Sequence, residues 1–216
     1  MPIGCSNSPM GTGADASAIV KDMSVTLLYA VMALLQAPAL NAEETKIGQN
    51  LKPLGGNLQF VSTEDGWELS LDVNSCPKPF DFAAVKGLKR LAALRVMGGS
   101  IKEDSLKELV GCPKLNLLVL VVTGLTDKGM PHIGKLKGLT KLDVKGPLTA
   151  QGLKHIKPLD ALERLYLYNA TLTDAQVTPL EDLKQLKLLY VPASVTEAAV
   201  ERLRKALPKT NVVRDR

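Results

Sequence analysis

Five times in succession the chain opens a unit on the pattern Leu-x-x-Leu-x-(Leu/Val). The openings fall at Leu91, Leu115, Leu139, Leu162 and Leu186, in steps of 24, 24, 23 and 24 residues. A near-constant step of this length marks stacked supersecondary units. Each unit starts with the alternation of a short strand. A second apolar position follows at Ile101, Leu125, Leu148, Leu172 and Val195, then a polar cluster such as Thr126-Asp127 or Thr173-Asp174. Thr and Asp there suit the free N–H groups of a helix start. Helical apolar spacing ends the unit, as in Leu106–Leu109, Met130–Ile133–Leu136 and Val200–Leu203. No unit can bury its leucines alone. Stacking pairs the strands into a parallel sheet and lines the leucines into ladders, each fully buried side chain contributing about 1.5–3 kcal/mol.

Strands are predicted near 92–97, 116–121, 140–145, 163–168 and 187–191, with Leu118 on an inner face. The ends need caps, because a terminal unit exposes its core. Trp67–Val73 alternates like a strand and reads as a degenerate first unit, completed by Phe80, Phe82, Val85 and Leu88. Asn57–Ser62 pairs with it as a hairpin through Glu64-Asp65-Gly66. At the far end Asn211-Val212-Val213 makes a last strand, and Arg214, Asp215 and Arg216 keep that edge charged. The chain thus divides into an N-terminal cap with a degenerate repeat over 43–90, and five repeats with a C-terminal cap over 91–216.

The unit LNLLVLVVTGLTDKGMPHIGKLKG at 115–138 resembles bacterial leucine-rich repeats, written L-x-x-L-x-L-x-x-T-x-(L/V)-T-D-x-G-(L/M)-x-x-(L/I)-x-x-L. LVGCPKL at 109–115 is similar to the cysteine-containing class of that family, and the resemblance spans about 67–213. It implies an α/β fold: a right-handed leucine-rich-repeat solenoid with a concave parallel sheet and convex helices. It also implies protein recognition as the role. One departure stands out. The position after the strand, Asn or Cys in many such repeats, reads Gly99, Thr123, Pro147, Ala170 and Ser194. The ladder of backbone bonds that Asn or Cys feeds is therefore mostly missing, and less regular turns are expected.

The first forty residues read differently. Residues 1–22 are rich in Gly, Ser, Ala and Pro without apolar period, as in a disordered extension. Ser24–Leu35 is apolar and is followed by QAPALNA and the polar Glu43-Glu44. This is the pattern of an export signal over 23–42, with cleavage after Ala42. Only Lys21 precedes the apolar run, and Asp22 offsets it. The run is short and interrupted against the roughly 20 residues of a membrane span, so no stable span is expected. The reading is an exported chain, periplasmic or secreted, with a membrane-anchored or cytoplasmic chain as alternatives.

The search for chemistry finds little. Lys+Arg at 27 against Asp+Glu at 22 gives a formal charge of +5, spread without basic runs, so a solvated surface and no nucleic-acid partner are expected. Cys5, Cys76 and Cys112 are odd in number and fit no zinc spacing. Cys76 and Cys112 read as buried thiols, a disulfide between them being the alternative in an exported chain. His132 and His155 occupy equivalent places in neighbouring units, as exposed helix positions without a third ligand for a metal. Asp127 and Asp174 read as helix caps. The sequon Asn169-Ala170-Thr171 matters only in a eukaryotic secretory route. No hydrolase, metalloprotease or nucleotide-binding motif is present, so no catalytic, metal-ligating or cofactor-binding residue is expected.

The residues between the inward leucines form three columns on the concave face of the sheet. They run Glu68, Ala93, Leu117, Lys141, Arg164, Leu188; Ser70, Arg95, Val119, Asp143, Tyr166, Tyr190; and Asp72, Met97, Val121, Lys145, Tyr168, Pro192. Leu117, Val119 and Val121 make an apolar patch in mid-sheet. Tyr166, Tyr168 and Tyr190, three of the chain's four tyrosines, gather beside Arg164. Tyrosine also suits any strand. Yet Tyr and Arg are over-represented at binding hot spots, and exposed apolar patches mark interfaces. These seven residues are the candidate surface of a non-enzymatic protein-binding module for a protein ligand. The alternative is a self-associating structural or assembly protein, a homodimer through the mid-sheet patch. An enzyme, or a ubiquitin-ligase-type adaptor suggested by LVGCPKL, is less favoured.

Overall fold

The computed structural model describes residues 37–64, 66–168 and 172–215. The expectations for residues 1–22, for the apolar run 24–35 and for the sequon at 169–171 lie outside them. The repeat domain begins at Ala39. Among the described residues eight strands form one sheet in chain order: β1 (Gly56–Thr63), β2 (Gly66–Asn74), β3 (Leu91–Ser100), β4 (Leu117–Thr123), β5 (Lys141–Lys145), β6 (Arg164–Leu167), β7 (Leu188–Val191) and β8 (Asn211–Arg214). β1 and β2 are the expected antiparallel hairpin, in register from Gly56 opposite Val73 to Thr63 opposite Gly66. Every later neighbour is parallel. With strands one repeat step apart, the architecture is a leucine-rich-repeat solenoid.

Its core is the leucine ladder. Leu94, Leu118, Leu142, Leu165 and Leu189 sit at matching register positions and are fully buried. Phe80 and Phe82 meet edge to face, with ring centroids 5.2 Å apart, in the degenerate unit. Cys76 and Cys112 are free and buried, so the thiol reading holds and the disulfide alternative does not. Burial pushes the Cys112 thiol up to about 11, which leaves it protonated and inert.

The return legs are shorter helices than the family resemblance implies. They comprise α1 (Ala42–Leu51), α2 (Met130–Ile133), α3 (Ala150–Lys154) and α4 (Glu197–Ala206), with 3-10 segments at Phe82–Val85, Glu103–Gly111 and Thr178–Asp182. A 3-10 turn rises about 2.0 Å per residue against 1.5 Å for an α-helix, so a short leg crosses the same height with fewer residues.

Three expectations need correction. First, the fold starts before Glu43: Leu40 packs against the core, and Asn41 caps α1. The Asn41 Oδ1 accepts from the Glu44 N–H at 2.9 Å, and the Asn41 N–H donates to Glu44 Oε2 at 2.9 Å. Second, the columns slip by two residues at β2. Ser70 lies opposite Ala93 and Asp72 opposite Arg95, with a bulge between Leu69 and Ser70 that shifts the register by one residue. Third, the threonine and aspartate of the Thr-Asp pair cap different units.

The threonine serves its own turn: Thr149 Oγ1 accepts from the Gln151 N–H, and Thr196 Oγ1 from the Ala199 N–H. The acid reaches forward into the next unit. Glu103 accepts from the N–H and hydroxyl of Thr126 and from the Gly129 N–H. Asp127 accepts from the N–H and hydroxyl of Thr149, and Asp174 does the same for Thr196. This contact explains the glycine three places after the threonine it reaches. A Cβ on Gly129 would come within 2.8 Å of Glu103 Oε1, and one on Gly152 within 2.2 Å of Asp127 Oδ1. Where the acid is missing, at Ala150, the next unit has Gln176 in place of glycine. The Gln176 side chain then accepts from the Thr173 N–H at 2.8 Å. Hydroxyls also replace part of the missing Asn ladder: Thr123 donates to the Gly99 carbonyl and Ser194 to that of Leu172.

Candidate functional site

Register fixes the tyrosines. Asp143 pairs with Tyr166 and Tyr166 with Tyr190, so the central row reads Asp72, Arg95, Val119, Asp143, Tyr166, Tyr190, Val213 across seven strands. Tyr168 lies two residues beyond Tyr166 and joins the row above, its N–H donating to the Val144 carbonyl. Ring centroids lie 6.1 Å apart for Tyr166–Tyr168, 5.9 Å for Tyr166–Tyr190 and 5.8 Å for Tyr168–Tyr190. Tyr166 and Tyr190 are half-buried, while Tyr168 and Arg164 are exposed. The three rings make one platform, each pair contributing about 0.5–1.5 kcal/mol beyond its buried area.

The mid-sheet patch is less open than its sequence suggests. Val119 is 7 % exposed, while Leu117 and Val121 are half-buried. On its flank the Arg95 guanidinium lies along the sheet, donating to Ser70 Oγ at 2.9 Å and to Asp72 Oδ1 at 3.2 Å. The exposed apolar residue in this region is Met97, opposite Val121.

Sequence reasoning placed Asp143 and Lys141 on this face without singling them out. Asp143 is 6 % exposed among Val119 and the tyrosines. Its Oδ2 pairs with Lys141 Nζ at 3.3 Å, and its Oδ1 has no hydrogen-bond partner. Burial raises its carboxyl above the usual carboxylate range, and the Lys141 charge only partly opposes this. Lys141 Nζ also stands 4.9 Å over the Tyr166 ring, a cation–π contact. The available signal was a lone acid in the middle column between a valine and a tyrosine.

Two of the phenols, Tyr168 and Tyr190, are held neutral. Burial first, and then the Asp143 charge, raises Tyr168. Tyr190 donates its hydroxyl to Asp215 Oδ1 at 2.7 Å, and this bond raises it too. Neutral phenols donate and accept hydrogen bonds. Below the platform a cavity of about 510 Å³ opens between the hairpin tip and the strand starts, lined by Glu64, Glu68, Asn116, Lys141 and Arg164. On the opposite side, His155 is exposed and His132 half-buried. Among the described residues no group of three metal-ligating side chains forms, and no helix is long and apolar enough to cross a membrane.

No family model matches the chain, and no curated protein does. Similar solved structures include internalin C2 from Listeria monocytogenes, at 18 % identity over 63 % of this chain and 56 % of that one, with a TM-score of 0.46. A second Listeria internalin shares 17 % identity over 68 % and 40 % of the two chains, with a TM-score of 0.48. A leucine-rich-repeat protein of Leptospira interrogans shares 25 % over 66 % and 36 %, at 0.45. The chain spans about half or less of the length of these three.

Proposed function

We propose that this chain is a non-enzymatic recognition module, exported by its N-terminal leader, which holds a protein partner against the concave face of its sheet. The observation that carries the reading is the clustering of Tyr166, Tyr168 and Tyr190 at 5.8–6.1 Å beside the exposed Arg164. Such a platform is already ordered by neighbouring strands, so it loses little side-chain entropy on binding. Arg164 adds a charged hydrogen bond at its edge. Leu117, Val119 and Val121 extend the contact toward mid-sheet. Asp143 and Lys141 position the rings from beneath.

The test is affinity capture on the immobilised chain, with bound proteins identified by mass spectrometry. The double variant Tyr166→Ser/Tyr190→Ser should still unfold cooperatively, at a temperature lowered by the lost ring pairs, and lose the captured partner by about tenfold or more, the scale of a hot-spot loss. Retention at full strength, with loss on changing His132 and His155, would place the binding face on the helical side. Self-association is a second reading, favoured by Met97 at 45 % exposed beside Val121. A light-scattering mass that doubles with concentration, and that Met97→Lys holds at the monomer, would support it.

A further inference from the structure

The start of the fold marks where the leader ends. We propose that the chain is processed by hydrolysis of the Ala39–Leu40 peptide bond, an inference that rests on the export reading above. Water adds across the amide, leaving a carboxylate on Ala39 and an ammonium on Leu40. The catalyst is a leader peptidase that reads small residues at the first and third positions before the cut.

Ala37-Pro38-Ala39 supplies those two small residues. The three are exposed and carry no regular secondary structure, and the repeat domain begins at Ala39. Pro38 biases Ala37 toward an extended backbone, the form in which a peptidase groove takes its substrate. The Ala42–Glu43 bond suggested by the sequence is placed otherwise. It lies in the first turn of α1, inside the Asn41–Glu44 capping box and under the Thr45 N–H bond to the Asn41 carbonyl. A cut there removes the helix cap and the packed Leu40. A cut after Ala39 costs one bond, from Arg90 Nη2 to the Ala39 carbonyl at 3.2 Å, and leaves the Arg90–Glu44 pair in place.

The experiment expresses the full chain in an export-competent bacterial host and reads the intact mass of the exported protein. The expected product starts at Leu40. Ala39 and Ala42 are both exposed, so substitution at either should leave the fold intact. Ala39→Phe should block processing and accumulate the precursor, while Ala42→Phe should leave the start at Leu40. A wild-type product starting at Glu43, or a block by Ala42→Phe and not by Ala39→Phe, would overturn the proposed site while keeping export. An uncleaved wild-type chain in the exported fraction would overturn the cut, and a wild-type chain found only in the cytoplasm would overturn the export reading itself.

Discussion

Among the described residues two acidic side chains are buried, and they are held in opposite ways. Glu44, 2 % exposed, has every oxygen engaged: Oε1 accepts from Arg90 Nε at 2.8 Å, while Oε2 accepts from the Asn41 N–H and from Arg90 Nη2. Arg90 holds its carboxyl below the usual range. Asp143, 6 % exposed, has one lysine on Oδ2 and nothing on Oδ1, and burial raises it. A buried charge persists at low cost only where its lone pairs are met. Glu44 therefore reads as structural glue between the N-terminal cap and the first repeat. Asp143 is kept at a cost, in register with Tyr166 in the central row of the sheet.

The sharpest way to break this contrast is at Arg90. Arg90→Ala leaves Glu44 buried without its partner and should destabilise the domain by about 2–3 kcal/mol, the cost of an unsatisfied charged group. Chemical denaturation measures it, and a loss below about 0.5 kcal/mol would reduce the pair to an ordinary surface contact. Next in size is the seam between repeats. Asp127→Ala frees the Thr149 N–H and hydroxyl and should cost about 1–2 kcal/mol. Gly152→Ala should cost a similar amount, since its Cβ would meet the same carboxylate. In the Asp127→Ala background Gly152→Ala should cost clearly less, because the carboxylate is gone and only the tight 3.2 Å approach to the Cα of residue 127 remains. Additive losses in that cycle would separate the glycine from the acid.

The smallest effect is at Asp143, and its sign is the informative part. A carboxyl raised by folding makes its strongest contribution at acid pH and loses it as pH rises through the folded value. A lowered one, such as Glu44, contributes above the usual carboxylate range and loses that contribution as pH falls through its folded value. Asp143→Asn should thus be as stable as the parent or up to about 1 kcal/mol more stable at pH 7, with the difference shrinking on acidification. A variant clearly less stable than the parent at pH 7 would make Asp143 a second Glu44. If partner capture also weakens while stability holds, the carboxylate belongs to the binding surface.

Much of this was legible in the chain itself. The repeat step fixes which residues stack, because units of equal length must place equivalent positions side by side. The leucine ladder, the hairpin from Asn57 to Val73, the last strand at Asn211 and the burial of Cys76 and Cys112 follow from it. So does the gathering of Tyr166, Tyr168 and Tyr190, since alternation along β6 and parallel pairing with β7 leave them one face to share. Tertiary structure decided what a single unit cannot carry. That Asp127 caps the following unit, that β2 pairs two residues out of the expected columns, that Arg95 turns back to Ser70 and Asp72 and that Asp143 is left half-satisfied are all relations between units. Their energies depend on distances of a few ångströms across the seams, and a one-dimensional pattern fixes the order of the units but not those distances.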